Sequence, residues 1–175
     1  MMGADALFPG ASDNASGTAC LLSLASYFAA HPQRYTIVFI AFSGEEAGLL
    51  GSQYYVKNPL FPLSNIRFLV NMDIMGDATD GITVVNATEH PKEFSLLQQL
   101  NQENNLLPQV RSRGTAANSD HYHFSKAGVQ CFFIYSNSGK GYYHDVFDKA
   151  STLSLTNVDK VLTLIITFSA ALQHM

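Results

Sequence analysis

The chain reads as an α/β layered domain, with a largely parallel sheet and helices on both faces. Three observations lead there. Short apolar, β-branched runs alternate with longer segments of helical character. A length of 175 residues, with 47% hydrophobic and 14% charged residues, supplies a substantial core and excludes a disordered chain. Acidic side chains and a histidine recur just past the apolar runs, where open α/β sheets hold their ligands.

The elements follow in order. Phe8–Asn14 is rich in Pro, Gly, Ser and Asn and reads as a loop. A helix is predicted over Ala15–Ala30, closed by His31-Pro32, with Asp13 or Asn14 as its N-cap. Tyr35–Phe42 is the strongest strand candidate, an apolar and β-branched run that leads into Gly44-Glu45-Glu46. A second helix is expected from Glu46 to Lys57, before Asn58-Pro59. Ile66–Met72 is a second strand, with Asp73 at its far end, and Gly81–Asn86 a third. Pro91–Asn105 is an amphipathic helix with Phe94, Leu97 and Leu100 inward. Leu106–Ser119 reads mostly as loop, then a short helix through Lys126 with Ser119 suited to cap it. Val129–Tyr135 is a fourth strand, Ser136–Gly141 a glycine- and serine-rich loop, and Ser154–Leu172 a closing helix. No internal repeat or second domain is evident.

Composition removes several function classes. The net charge of -4 and scattered Lys and Arg leave no basic stripe for nucleic acid. The apolar segments are too interrupted for a membrane span. Met1–Gly10 lacks a signal peptide's basic and apolar regions. Cys20 and Cys131 each sit in an apolar element and read as two buried free thiols. Phe42-Ser43-Gly44 is no nucleophile elbow, and Ser138-Gly139-Lys140 lacks the pattern of a phosphate loop.

The polar residues at the strand ends carry the chemistry. Glu45 and Glu46 are adjacent carboxylates at the end of an apolar strand. Such a pair suits a hydrolytic metal site, one holding the cation and one moving a proton, or else a first helical turn. Asp13, Asp73 and His144 fall at the same edge, and together the five residues match the oxygen and imidazole donors that zinc accepts. Each has a plain structural alternative: a cap for Asp73, an exposed loop residue for His144, helix-start residues for Asp120 and His121. His121 and His123 stand two apart and would not share a helix face, which points to a core or surface role for His123.

The pattern resembles peptidase family M28, the zinc aminopeptidases. Four blocks carry the likeness: Pro9–Gly17, Phe42–Ser52, Asn71–Gly76, and Ser119-Asp120-His121 with Tyr143-His144 and Asp148 after it. The resemblance implies a three-layer α/β/α sandwich with a mixed, largely parallel sheet. It implies two zinc ions: Asp13 bridging, Glu46 and His144 on one, Asp73 on the other. Glu45 would be the general base toward zinc-bound water, and Asp120, His121, Tyr143 and Asp148 would shape the pocket or orient the ligands. The implied activity is metal-dependent removal of N-terminal residues from peptides. A single-zinc glutaminyl cyclase-like enzyme and a non-catalytic domain are the alternatives. Family habit implies a secreted or periplasmic setting.

One departure stands out. The family's His-x-Asp motif, whose histidine shares a zinc with Asp73, has no counterpart, since no histidine precedes His31. With a loop-like Gly3–Ala11 at its start, the chain is expected to be a single domain lacking its N-terminal part. Missing strands would leave a sheet edge open, suited to association of two copies or to another chain.

Overall fold

The computed structural model describes residues 6–139 and 141–174. Gly3–Asp5 of the opening loop, and Lys140, lie outside them. The architecture agrees with the α/β expectation. Four strands, β1 (Leu69–Met72), β2 (Ile82–Val85), β3 (Val110–Ser112) and β4 (Cys131–Ser136), form a mixed sheet in the order β1-β4-β2-β3. β1 runs parallel to β4 and β2 parallel to β3, while β2 and β4 are antiparallel. The helices are α1 (Gly17–Ala30), α2 (Leu50–Lys57), α3 (Pro91–Glu103), α4 (His121–Lys126) and α5 (Val158–Leu172).

Alternation along β4 explains the layering. Phe132 and Ile134 point to the α1, α3 and α5 side, where Phe132 meets Phe68, Phe94 and Phe168 with ring centroids 4.9, 6.5 and 5.8 Å away. Phe133 faces the other way and stacks on His121 of α4. Both faces of β4 are therefore covered, and such a strand reads as a continuous apolar run. Truncating Phe132, which has no exposed surface, would cost about 3–5 kcal/mol.

Three expectations are corrected. Tyr35–Phe42 joins no ladder among the described residues: Thr36–Phe42 has no turn or bend, yet its backbone makes no hydrogen bond to the backbone of other described residues. The sequence run is strand-like, but a strand also requires a neighbour with free backbone groups. Leu106–Ser119 is not all loop, because Val110–Ser112 pairs with β2 as an edge strand. Arg111 and Ser112 are exposed there, which hid the strand from a hydrophobic pattern. The second helix begins at Leu50 rather than Glu46, because the intervening residues form a turn that ends with Leu49 in the left-handed region at φ 59°.

Candidate metal centre

The Asp13 loop is held by its neighbours. Asn14 donates from Nδ2 to the Met72 carbonyl at 3.0 Å and accepts at Oδ1 from the amides of Gly17 (2.9 Å) and Ile74 (3.2 Å). It thus caps α1 and ties that helix to the end of β1. Ser16 Oγ donates to the Ser12 carbonyl at 2.6 Å and accepts from the Met75 amide at 2.8 Å. From the far side, the Asp148 carboxylate accepts the amides of Ser12 and Asp13 at 2.8 and 3.0 Å. Gly17 is required by this closeness, since a Cβ there would lie 2.6 Å from the Met72 carbonyl oxygen and press on Asn14.

Glu45 and Glu46 enter from a tight turn. Gly44 has φ 68°, and the Glu45 carbonyl accepts from the amides of Gly48 (2.9 Å) and Leu49 (2.8 Å). The turn projects Glu46 toward His144, which arrives from the loop after β4 with φ 52°. His144 Nε2 lies 3.2 Å from Asp13 Oδ2 and 3.0 Å from Glu46 Oε1. Ligand atoms from all three residues lie within 4.8 Å of one another, the one such group among the described residues. Tyr143 stacks on the imidazole at 3.8 Å. Two carboxylates and one imidazole, left partly open, are oxygen and nitrogen donors of the kinds zinc accepts, and these residues fit that ion.

The surrounding charges are frustrated without a cation. Burial, reinforced by Asp73 and Glu46, raises Asp13 to about 6. Burial with the same two neighbours and Asp120 raises Glu45 to about 7. Asp73 is raised by burial, an effect that Ser119 opposes by donating to its Oδ2 at 2.9 Å. Asn71 Nδ2 donates in turn to Ser119 Oγ at 2.7 Å. Asp73 Oδ1 is buried with no hydrogen-bond partner among the described residues. Such an oxygen costs free energy unless a proton or cation reaches it.

Comparison with known proteins gives the lineage. The sequence profile of peptidase family M28 matches residues 2–169. The chain belongs to peptidase family M28. A probable zinc metalloprotease of Pyrenophora tritici-repentis is 46% identical over 77 residues, 43% of this chain and 18% of that protein. Aminopeptidase YwaD of Bacillus subtilis is 31% identical over 126 residues, 69% of this chain and 27% of that protein. The solved zinc aminopeptidase of Bacillus subtilis superposes with a TM-score of 0.81 at 24% identity, over 93% of this chain and 42% of that one. The fold is therefore that of the M28 enzymes, and the chain spans less than half the length of each of these proteins.

Within this M28 chain, Asp13, Glu46 and His144, three of the ligands that the resemblance implies, lie close together, and Glu45 is next to Glu46 in the chain. Asp73 is buried at the end of β1 but is not one of the three gathered residues. Asp148 grips the backbone of the Asp13 loop through Ser12 and Asp13. Asp120 is buried and raised by that burial, with Ser52 opposing. Burial lowers His121 to about 4, so it is a neutral ring against Phe133. His123 is absent from the gathered group. Ser119 does not cap α4 with its side chain, because its hydroxyl is engaged by Asp73 and Asn71. The bracing roles of Asn14, Asn71 and Ser119 were missed. Their signals were membership of the motif blocks and, for Asn14 and Ser119, a place before a helix, because partners 46 to 60 residues away leave no local pattern. Among the described residues, no helix is long and apolar enough to cross a membrane.

Proposed function

We propose that this chain carries the catalytic centre of a zinc-dependent aminopeptidase acting on peptides. The observation that carries the reading is His144 Nε2 within 3.2 Å of both Asp13 and Glu46, with Glu45 next in the chain. Asp13, Glu46 and His144 would hold one zinc, and Asp13 with Asp73 would hold a second. Bound there, zinc lowers the pKa of water and polarises the scissile carbonyl. Glu45 takes a proton from the attacking water and delivers it to the leaving amine. Asp148, Asn14 and Ser119 keep the donors in place.

The test is Glu45→Gln. Turnover of a chromogenic aminoacyl substrate should fall by about 10²–10⁴-fold, with zinc content unchanged. Equal activity in the variant would remove Glu45 from this role.

One observation favours a second reading. Asp13, Glu46 and His144 form a three-ligand set by themselves, which is what a single-zinc glutaminyl cyclase-like enzyme would require. Product analysis separates the two: a released amino acid supports the peptidase, and a pyroglutamyl peptide the cyclase.

A further inference from the structure

A cavity of about 300 Å³ opens on the His144 side of the centre. Asp13 and Asp148 line part of it, together with Tyr143, whose ring stacks on His144 at 3.8 Å. A group held at the centre therefore borders this space. Most polar groups of the wall are already engaged. Asp148 directs both oxygens to the Ser12 and Asp13 amides. Ser136 Oγ donates to the Ile74 carbonyl at 2.7 Å, and Ser138 Oγ accepts from the Asp80 amide at 2.6 Å. Asn137 accepts from the Thr83 hydroxyl and donates to the Asp80 carbonyl.

Asp77 is the exception. Its Oδ1 accepts from the amide and hydroxyl of Thr79 at 2.8 and 2.6 Å, and its Oδ2 accepts from Ser154 Oγ at 2.6 Å. Burial opposes its ionisation, but these bonds outweigh burial and hold the carboxyl below its ordinary range. An ionised carboxylate offers about four acceptor positions, so one remains open. The group is charged, oriented and incompletely used. Among the described residues that line the cavity, none is basic. Ile74, Leu153, Tyr135 and Tyr142 supply an apolar and aromatic wall. Arg113 donates to the Tyr135 hydroxyl at 3.1 Å and fixes that ring without lining the cavity itself. Such a wall suits the methylene stem of a long cationic side chain, with the acid placed for its charged end.

We propose that Asp77 makes this cavity selective for a substrate whose first residue is lysine or arginine, by pairing with the cationic end of that side chain. The assignment rests on the aminopeptidase reading and names its substrate class. Asp77 acts on which peptide is held, not on the reacting atoms. Norleucine carries the four side-chain carbons of lysine without the ammonium group, so the contrast between the two isolates the ion pair. Asp77 is only half-buried, so solvent screens the pair. The expected preference for lysine over norleucine is about tenfold, the low end for a hydrogen bond to a charged group.

The experiment has two arms, both on the zinc-loaded chain. In the first, calorimetry measures binding of L-lysinol and L-norleucinol, which carry the free amine and the side chain but no bond to cleave. Lysinol should bind about tenfold tighter, and Asp77→Asn should bring the ratio close to one. Ser154→Ala removes a hydrogen bond from the same carboxylate but not its charge, and should keep the preference. In the second, kcat/KM for the lysyl p-nitroanilide should exceed that for the norleucyl one by a similar factor. Asp77→Asn should erase this difference, chiefly through KM. Equal binding of the two alcohols by the parent, or a lysine preference that survives Asp77→Asn, would overturn the role of Asp77. Turnover of neither anilide would overturn the aminopeptidase reading instead, and the binding arm would still decide whether Asp77 selects a cation.

Discussion

The Asp148 carboxylate accepts the backbone amide of Asp13 at 3.0 Å, across 135 residues of sequence. A residue with the wrong charge to help a neighbouring carboxylate therefore supports it through the main chain. The arrangement positions the Asp13 loop, and with the Ser12 amide it uses both oxygens of Asp148.

Removing that grip should loosen the metal site without deleting a ligand. Asp148→Ala is expected to weaken zinc binding by about 10–100-fold, the usual range for groups that orient metal ligands. Asp148→Asn, which keeps one acceptor oxygen, should fall between. Competition against a chromogenic chelator measures both, and an unchanged affinity in the alanine variant would refute the role.

His144 should matter far more to zinc than His123. His144→Ala removes the sole nitrogen donor of the gathered group, and tight zinc binding should be lost. His123→Ala should bind as the parent does. Zinc titrations of the metal-free proteins check the pair, and equal losses in the two variants would contradict the assignment.

The chain from Asn71 through Ser119 to Asp73 should be a coupled unit. Ser119→Ala leaves Asp73 Oδ2 without the Ser119 hydroxyl and the Asn71 amide without its partner. The expected loss is about 1–3 kcal/mol in urea unfolding. Adding Asp73→Asn should cost less in the Ser119→Ala background than alone, because the two changes share one interaction. Strict additivity would show that the hydroxyl does not act through Asp73.

Metal-free stability should fall as pH rises. Folded Asp13 and Glu45 titrate at about 6 and about 7, raised by burial and neighbouring carboxylates. Unfolded, both return to about 4. The folded state therefore binds more protons between these values. Its advantage is complete below about pH 4 and is lost as pH rises through about 7. Asp73, also raised, adds in the same direction. The Tm of metal-free protein should decline from about pH 5 to about pH 7.5, and saturating zinc should remove the decline. A metal-free Tm that climbs across that window would contradict the frustrated cluster.

Sequence alone determined the layers and the donor types. Apolar runs such as Cys131–Ser136, alternating with helical segments, are local patterns that leave few architectures open. The acidic and histidine residues past those runs were legible because strand ends meet at one edge of an α/β sheet. Tertiary structure decided the rest. Only the fold shows that Asp13, Glu46 and His144 meet in one group, with Asp73 buried beside Asp13. It also shows that Asp148 binds backbone, and that the most strand-like stretch, Thr36–Phe42, pairs with no strand among the described residues. The reason is physical: hydrophobic periodicity is written along the chain, whereas a hydrogen bond or a metal ligand set is completed by groups far away in sequence.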